Sequence, residues 1–144
     1  MLIKNTKVMP VGVEVLWDMT MDLDALPELS PTFSSIEALD PGRVQVGSRF
    51  KLKQPGQGVR TWTITAIEPL ERFQWQTSAT GLTIVATHVL TPLPSDQSRN
   101  QLTVELSGWA AGLVGRFLRK PIGRALQREN DGFYQASKTW PTTN

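Results

Sequence analysis

Apolar and polar positions alternate with a period of two through the middle of the chain, and with a helical period on either side of it. LIKNTKVM (2–9) reads as a first strand, broken by Pro10 and Gly12. VEVLWDMTMDLDALPEL (13–29) places apolar residues at Val13, Leu16, Trp17, Leu23 and Leu26. That spacing predicts one or two short helices, ended near Pro27 and Pro31. Strand-like segments then follow at 32–39, 43–53, 59–68, 72–78, 82–91 and 101–109. Turn-forming residues separate them: Asp40-Pro41-Gly42, QPGQG (54–58), Pro69-Leu70-Glu71 and SDQSRN (95–100). Closely spaced turns between alternating segments predict an antiparallel meander.

Residues 110–140 return to the helical period. Projected at about 100° per residue, Leu118, Ile122, Ala125, Leu126, Phe133, Ala136 and Trp140 share one side. Arg116, Lys120, Arg124, Arg128, Asp131, Gln135 and Lys138 share the other. Leu113 and Phe117 are exceptions and project to the polar side. Pro121 clashes with the carbonyl four residues back, that of Phe117, so a kink or a fresh helix start is expected there. Gly108, Gly112 and Gly115 make 108–115 a poor straight helix. The order is therefore strand, short helices, about six strands, long helix. This predicts an α+β protein, a curved antiparallel sheet of about seven strands with one apolar helix face to cover it. A bent sheet gripping one helix leaves a space between them, a natural ligand pocket.

The 144 residues fit one domain, 1–144, large enough for a real core. The net charge of +2 gives no global case for nucleic-acid binding. The chain has no cysteine, which excludes disulfides, thiol nucleophiles and thiolate metal sites. A single histidine excludes a histidine-rich metal site. No apolar run reaches a membrane span and the N-terminus lacks a signal layout, so a cytoplasmic location is the expectation. Gly56-Gln57-Gly58 is expected to be a hairpin turn rather than a phosphate loop, because no strand-to-helix context or lysine follows it. Asp22 and Asp24 make a poor metal site by themselves and are expected to be solvated. No metal or cofactor is expected.

His88 lies on the face of 82–91 that carries Leu82, Ile84, Ala86 and Leu90. That face is the more apolar, so it is expected to point at the helix and the pocket. Three roles fit it: a hydrogen-bonded wall residue, a contact that orients a ligand carbonyl or hydroxyl, or a general acid or base. Glu129 projects into the apolar stripe of the last helix, where an unpaired carboxylate is costly. Either it reaches solvent beyond the pocket edge, or it faces His88 as an acid–base or anchoring pair. Phe50, Trp62, Phe73 and Trp75 on the strands fit either a core or a stacking surface for a flat apolar ligand. With Ile84, Leu90, Leu106, Leu118, Ile122 and Leu126 they complete the expected ligand-contacting set. Trp17 and Trp140 are expected to pack in the core.

Arg116, Lys120, Arg124 and Arg128, with Arg119 beside them, form a basic row without an acid between 116 and 128. Like charges at this spacing repel slightly. The row is either a solvated face or, with Leu113 and Phe117, a contact surface for anionic lipid headgroups or an acidic partner.

VMPVGVEVLWDMTMDLDALPELSP (8–31) resembles the opening of the START-like superfamily. These are helix-grip proteins whose bacterial members are often called polyketide cyclase/dehydrase or SRPBCC proteins. Pro10, Val15, Trp17, Asp22, Pro27 and Pro31 carry the likeness, and Leu29 departs from it where a Trp is common. VGSRFKLK, TWTITAIEPLERFQWQ, THVLTPL, VELSG and RALQRENDGFYQ extend it over nearly the whole chain. The resemblance implies a helix-grip fold around a long C-terminal helix. It also implies a hydrophobic ligand: a lipid, isoprenoid, aromatic or polyketide-like molecule. Three functions follow as expectations. The first is a binding module. The second is a cyclase, dehydratase or hydrolase using His88 as acid or base. The third is an interaction domain with a closed core and a partner surface at 113–128.

Overall fold

A computed structural model describes residues 1–30, 32–54 and 58–141. The chain runs β1 (Leu2–Met9), α1 (Val13–Met21), a 3-10 turn (Leu23–Ala25), α2 (Leu26–Leu29) and β2 (Ser35–Ala38). It continues through β3 (Arg49–Gln54), β4 (Gly58–Glu68), β5 (Arg72–Ala79), β6 (Leu82–Leu93) and β7 (Gln97–Ser107) to α3 (Ala111–Ser137). The strands form one seven-stranded sheet in the order β1-β7-β6-β5-β4-β3-β2, with every pair antiparallel. β2 to β7 form the meander, and β1 returns to pair with β7. A register shift between Ile64 and Ala66 puts a bulge in β4, which bends and twists the sheet locally. α3 lies against β1 and β7, and α1 against β6 and β7. This is the helix-grip arrangement of the α+β class.

Several boundaries differ from expectation, each for a local reason. Pro27 does not end a helix. It sits in the first turn of α2, where its missing N–H would lack a partner in any case. Pro31 and residues 55–57 of the expected 54–58 turn lie outside the described residues. β2 is shorter than 32–39. The segment 43–48 is not strand despite its alternating valines: Val46 is exposed and Gly47 has φ +96°. The expected loop 95–100 shrinks to residues 94–96, because Ser95 and Asp96 turn the chain with positive φ and Gln97 already pairs with Leu93. α3 is one uninterrupted helix through Pro121, not two. The carbonyl that Pro121 cannot bond belongs to Phe117 on the solvent side, where water can satisfy it.

The inner sheet face and the helices enclose two apolar clusters. One joins α1 and α2 to Phe50, Leu52, Trp62, Phe73, Trp75, Leu90 and Phe133. The other joins Ile3, Leu82, Leu102, Val104, Leu106 and Leu126. Ile84 and Ala86 of β6 touch both. Trp17 and Trp140 pack, partly buried, against the first.

The departure of α3 is fixed by two glycines. Gly108 has φ +104°, and a Cβ there would collide with the Gly81 carbonyl. That carbonyl accepts a 2.9 Å hydrogen bond from the Ala110 N–H at the foot of α3. Only glycine allows this approach. The Trp109 indole lies over Gly81, where a Cβ would collide with it, and its other face is open to solvent. Asp22 and Asp24 are exposed, and no cluster of three metal-ligating side chains occurs among the described residues. No helix among them is long and apolar enough to cross a membrane.

Candidate functional site

Where the two clusters meet, the side chains do not fill the space. A cavity lies between the sheet and residues 121–129 of α3. Of the expected ligand-contacting residues, Trp62, Trp75, Ile84, His88, Ile122 and Leu126 line it. Phe50, Phe73, Leu90, Leu106 and Leu118 do not. Phe50 and Phe73 stand behind the Trp75 indole, with ring centroids 6.3 and 5.2 Å from it. Leu90 is covered in the α1 cluster and Leu106 in the α3 cluster. Leu118, half-buried, lies a turn short of the lining stretch of the helix. Strand parity identifies the inner face but not the part of it that another element covers.

His88 faces inward from β6, between Phe73 on β5 and Leu102 on β7. Its ring meets Phe73 edge-on at 5.9 Å and Phe133 of α3 at 5.9 Å. Its Nδ1 is buried and has no hydrogen-bond partner among the described residues. Glu129 of α3 points at it. The carboxylate Oε1 stands 3.7 Å from His88 Nε2, a contact slightly too long for a hydrogen bond. Both residues are 7% exposed.

Burial sets their protonation, because a dry site disfavours either charge. It pushes His88 down to about 4 and Glu129 up to about 7. Between those values the imidazole is neutral and the carboxyl carries its proton. The cavity then presents one acid and one base, both uncharged, on an apolar wall. Such opposed shifts on adjacent groups are the arrangement that proton transfer or polar anchoring uses.

The cavity also holds polar groups that the sequence pattern did not single out. Arg60 and Gln54 line it from the β3–β4 side. Arg60 Nε and Trp62 Nε1 are buried without hydrogen-bond partners among the described residues. The available signal was parity: Arg60 shares the inward face of β4 with Trp62 and Ile64.

On its outer side, the first half of α3 is bare. Trp109, Leu113 and Phe117 are 82%, 65% and 75% exposed. Arg116, Arg119, Lys120, Arg124 and Arg128 are exposed beside them. None of these five forms an ion pair among the described residues.

Fold and cavity together define a helix-grip protein with a largely apolar cavity between sheet and helix. The sequence profile of the family described as polyketide cyclase/dehydrase and lipid transport matches residues 2–137. The chain belongs to that family. No curated protein sequence matches significantly. Among solved structures, the chain is similar to a hypothetical protein of Helicobacter pylori, with TM-score 0.82 and 15% identity over 95% of this chain and 88% of that one. A START superfamily protein of Mycobacterium smegmatis matches with TM-score 0.79 and 15% identity over 97% and 99%. Norcoclaurine synthase from Thalictrum flavum, in complex with dopamine and hydroxybenzaldehyde, matches with TM-score 0.78 and 14% identity over 99% and 89%. At such identities the likeness is one of fold.

Proposed function

We propose that the protein encloses one small or medium apolar molecule in the cavity between sheet and α3, with His88 and Glu129 as its polar anchor. The observation that carries this reading is the unfilled space between two well-packed clusters, with indoles and aliphatic side chains on its wall and one buried acid–base pair. Apolar burial would supply the affinity. The pair would orient a ligand hydroxyl or carbonyl, Glu129 donating while protonated and a neutral His88 nitrogen accepting. The same two groups could move a proton on a bound ligand, so an enzyme of cyclase or dehydratase type is this reading carried one step further.

Native mass spectrometry of freshly purified protein tests it. A defined apolar molecule near one per chain, released on denaturation, is the expected result. An empty protein that also leaves hydrophobic dyes unbound would refute the cavity as a ligand site. Turnover of the released molecule that survives His88→Ala would exclude His88 as the acid or base.

A second reading concerns delivery. Trp109, Leu113 and Phe117 beside the basic row favour contact with an anionic membrane surface. Phe117 lies one turn before Pro121 on the cavity wall, so a docked protein would hold the cavity close to the lipid.

A further inference from the structure

Among the described residues, Arg60 is the one lysine or arginine side chain on the cavity wall, and it forms no ion pair there. The described lining contains a single acid, Glu129, and that carboxyl is held toward its neutral form. Nor are the two close. Ile67, Phe73 and His88 pair in one row across β4, β5 and β6. Arg60 is seven residues before Ile67 on β4, roughly 20 Å along the strand at about 3.3 Å per residue. The cavity therefore has two polar ends: the His88–Glu129 pair, and Arg60 with Trp62 and Gln54 near the start of β4.

At that second end the unmet donors face one way chemically. Arg60 Nε and Trp62 Nε1 are both N–H donors, both buried, and both without an acceptor among the described residues. Trp62 is 6% exposed, so water has little access to its indole. The two residues are two positions apart on one strand face, so their backbones are about 7 Å apart. A buried donor left unsatisfied costs about 1–3 kcal/mol, and more when it is charged. An acceptor-rich anionic group removes that cost; a second apolar group does not.

We propose that the cavity takes an amphiphilic carboxylate. Arg60 and the Trp62 N–H hold its carboxylate, and its apolar body runs along Trp75, Ile84 and Leu126 toward His88. This rests on the cavity reading above and narrows it to a class of ligand.

Decanoate and decan-1-ol are matched in chain and differ in the head group. Titrating each into the 144-residue protein, followed by quenching of the cavity tryptophans, separates the two ideas. Wild type binds decanoate at least about 10-fold more tightly, the effect of one charge-assisted contact. Arg60→Gln brings the two ligands to near-equal affinity, and Arg60→Lys restores part of the preference. His88→Ala retains the preference, because the head group sits at the other end. Equal binding of both ligands by wild type, or a preference that survives Arg60→Gln, overturns the carboxylate assignment and leaves the cavity reading standing. Binding of neither overturns both. Unfolding midpoints of the variants, expected close to wild type for a partly exposed side chain, confirm that the comparison is between folded proteins.

Discussion

At the scale of single residues, the charge state of Glu129 governs the site. Its folded pKa of about 7 lies above its ordinary 4.5, so the folded chain holds the proton more tightly than the unfolded one. The stability this provides is complete below pH 4.5 and is lost as pH rises through 7. His88 behaves oppositely. Its folded pKa of about 4 lies below 6.5, so its contribution is complete above 6.5 and lost as pH falls through 4. Between 4.5 and 6.5 the two slopes oppose each other. Glu129→Gln removes one of them. The stability of this variant relative to wild type is expected to climb between pH 4.5 and 7 by roughly 3 kcal/mol, and to level off on either side. Urea unfolding of both proteins across that range measures the difference; a flat difference would show that Glu129 ionises normally. His88 was legible in the sequence as an inward residue because four apolar neighbours share its strand face. Its pairing with Glu129 stood in the sequence only as one of two alternatives, and the 3.7 Å approach that decides between them was not legible. It depends on sheet curvature and on how α3 rolls against the sheet, and neither leaves a trace in periodicity. Arg60 was missed for a related reason: a charge on an inner face reads as a strand-end residue until the opposite wall is in place.

At the scale of elements, a buried amide cluster determines that roll. Asn130 is fully buried. Its Oδ1 accepts from Asn100 Nδ2 on β7 at 2.9 Å, and its Nδ2 donates to Asn5 Oδ1 and the Asn5 carbonyl on β1 at 2.7 and 3.2 Å. The neighbouring residue is Glu129, so the cluster that clamps α3 to the sheet edge also aims the carboxylate into the cavity. Asn130→Leu removes three hydrogen bonds and strands the Asn100 amide. It is expected to destabilise the fold by about 2–4 kcal/mol and to weaken ligand binding in whatever protein remains folded. A loss under about 0.5 kcal/mol in chemical unfolding would show that apolar packing alone seats the helix. Element types were largely legible from the apolar periods, since β1, β4, β5, β6 and α3 fall close to where alternation puts them. Failures cluster where one residue overrides a pattern: Gly47 stops the strand suggested by Val44 and Val46, and solvent-facing Phe117 lets the helix continue through Pro121. Asn130 carried no signal, because a polar residue inside an apolar stripe looks the same whether it is a defect or a clamp.

At the scale of the whole molecule, polar and apolar surfaces are sorted unevenly. From 106 to 128 the chain has no acid, and the apolar side chains exposed on this stretch are Trp109, Leu113 and Phe117. Exposed aromatic side chains beside basic ones suit the headgroup layer of an anionic bilayer, where rings sit at the interface and each basic residue adds about 1 kcal/mol. The Trp109 indole rests on Gly81 while staying largely exposed, so the patch exists before any membrane is met. The protein is expected to float with vesicles containing phosphatidylserine at low salt, and to stay behind with purely zwitterionic vesicles. Added salt is expected to release it, as screening weakens the basic row. Leu113→Ser with Phe117→Ser is expected to lower vesicle binding about 5–10-fold through lost apolar burial. The same pair leaves decanoate affinity unchanged, because neither side chain reaches the cavity. No flotation with anionic vesicles at low salt would reduce the basic row to a solvated helix face. Binding that ignores lipid charge would assign the contact to the three apolar side chains alone. Binding that survives the double substitution but fails in salt would assign it to the arginines and Lys120, and α3 would then approach the bilayer without inserting Phe117 beside the cavity wall.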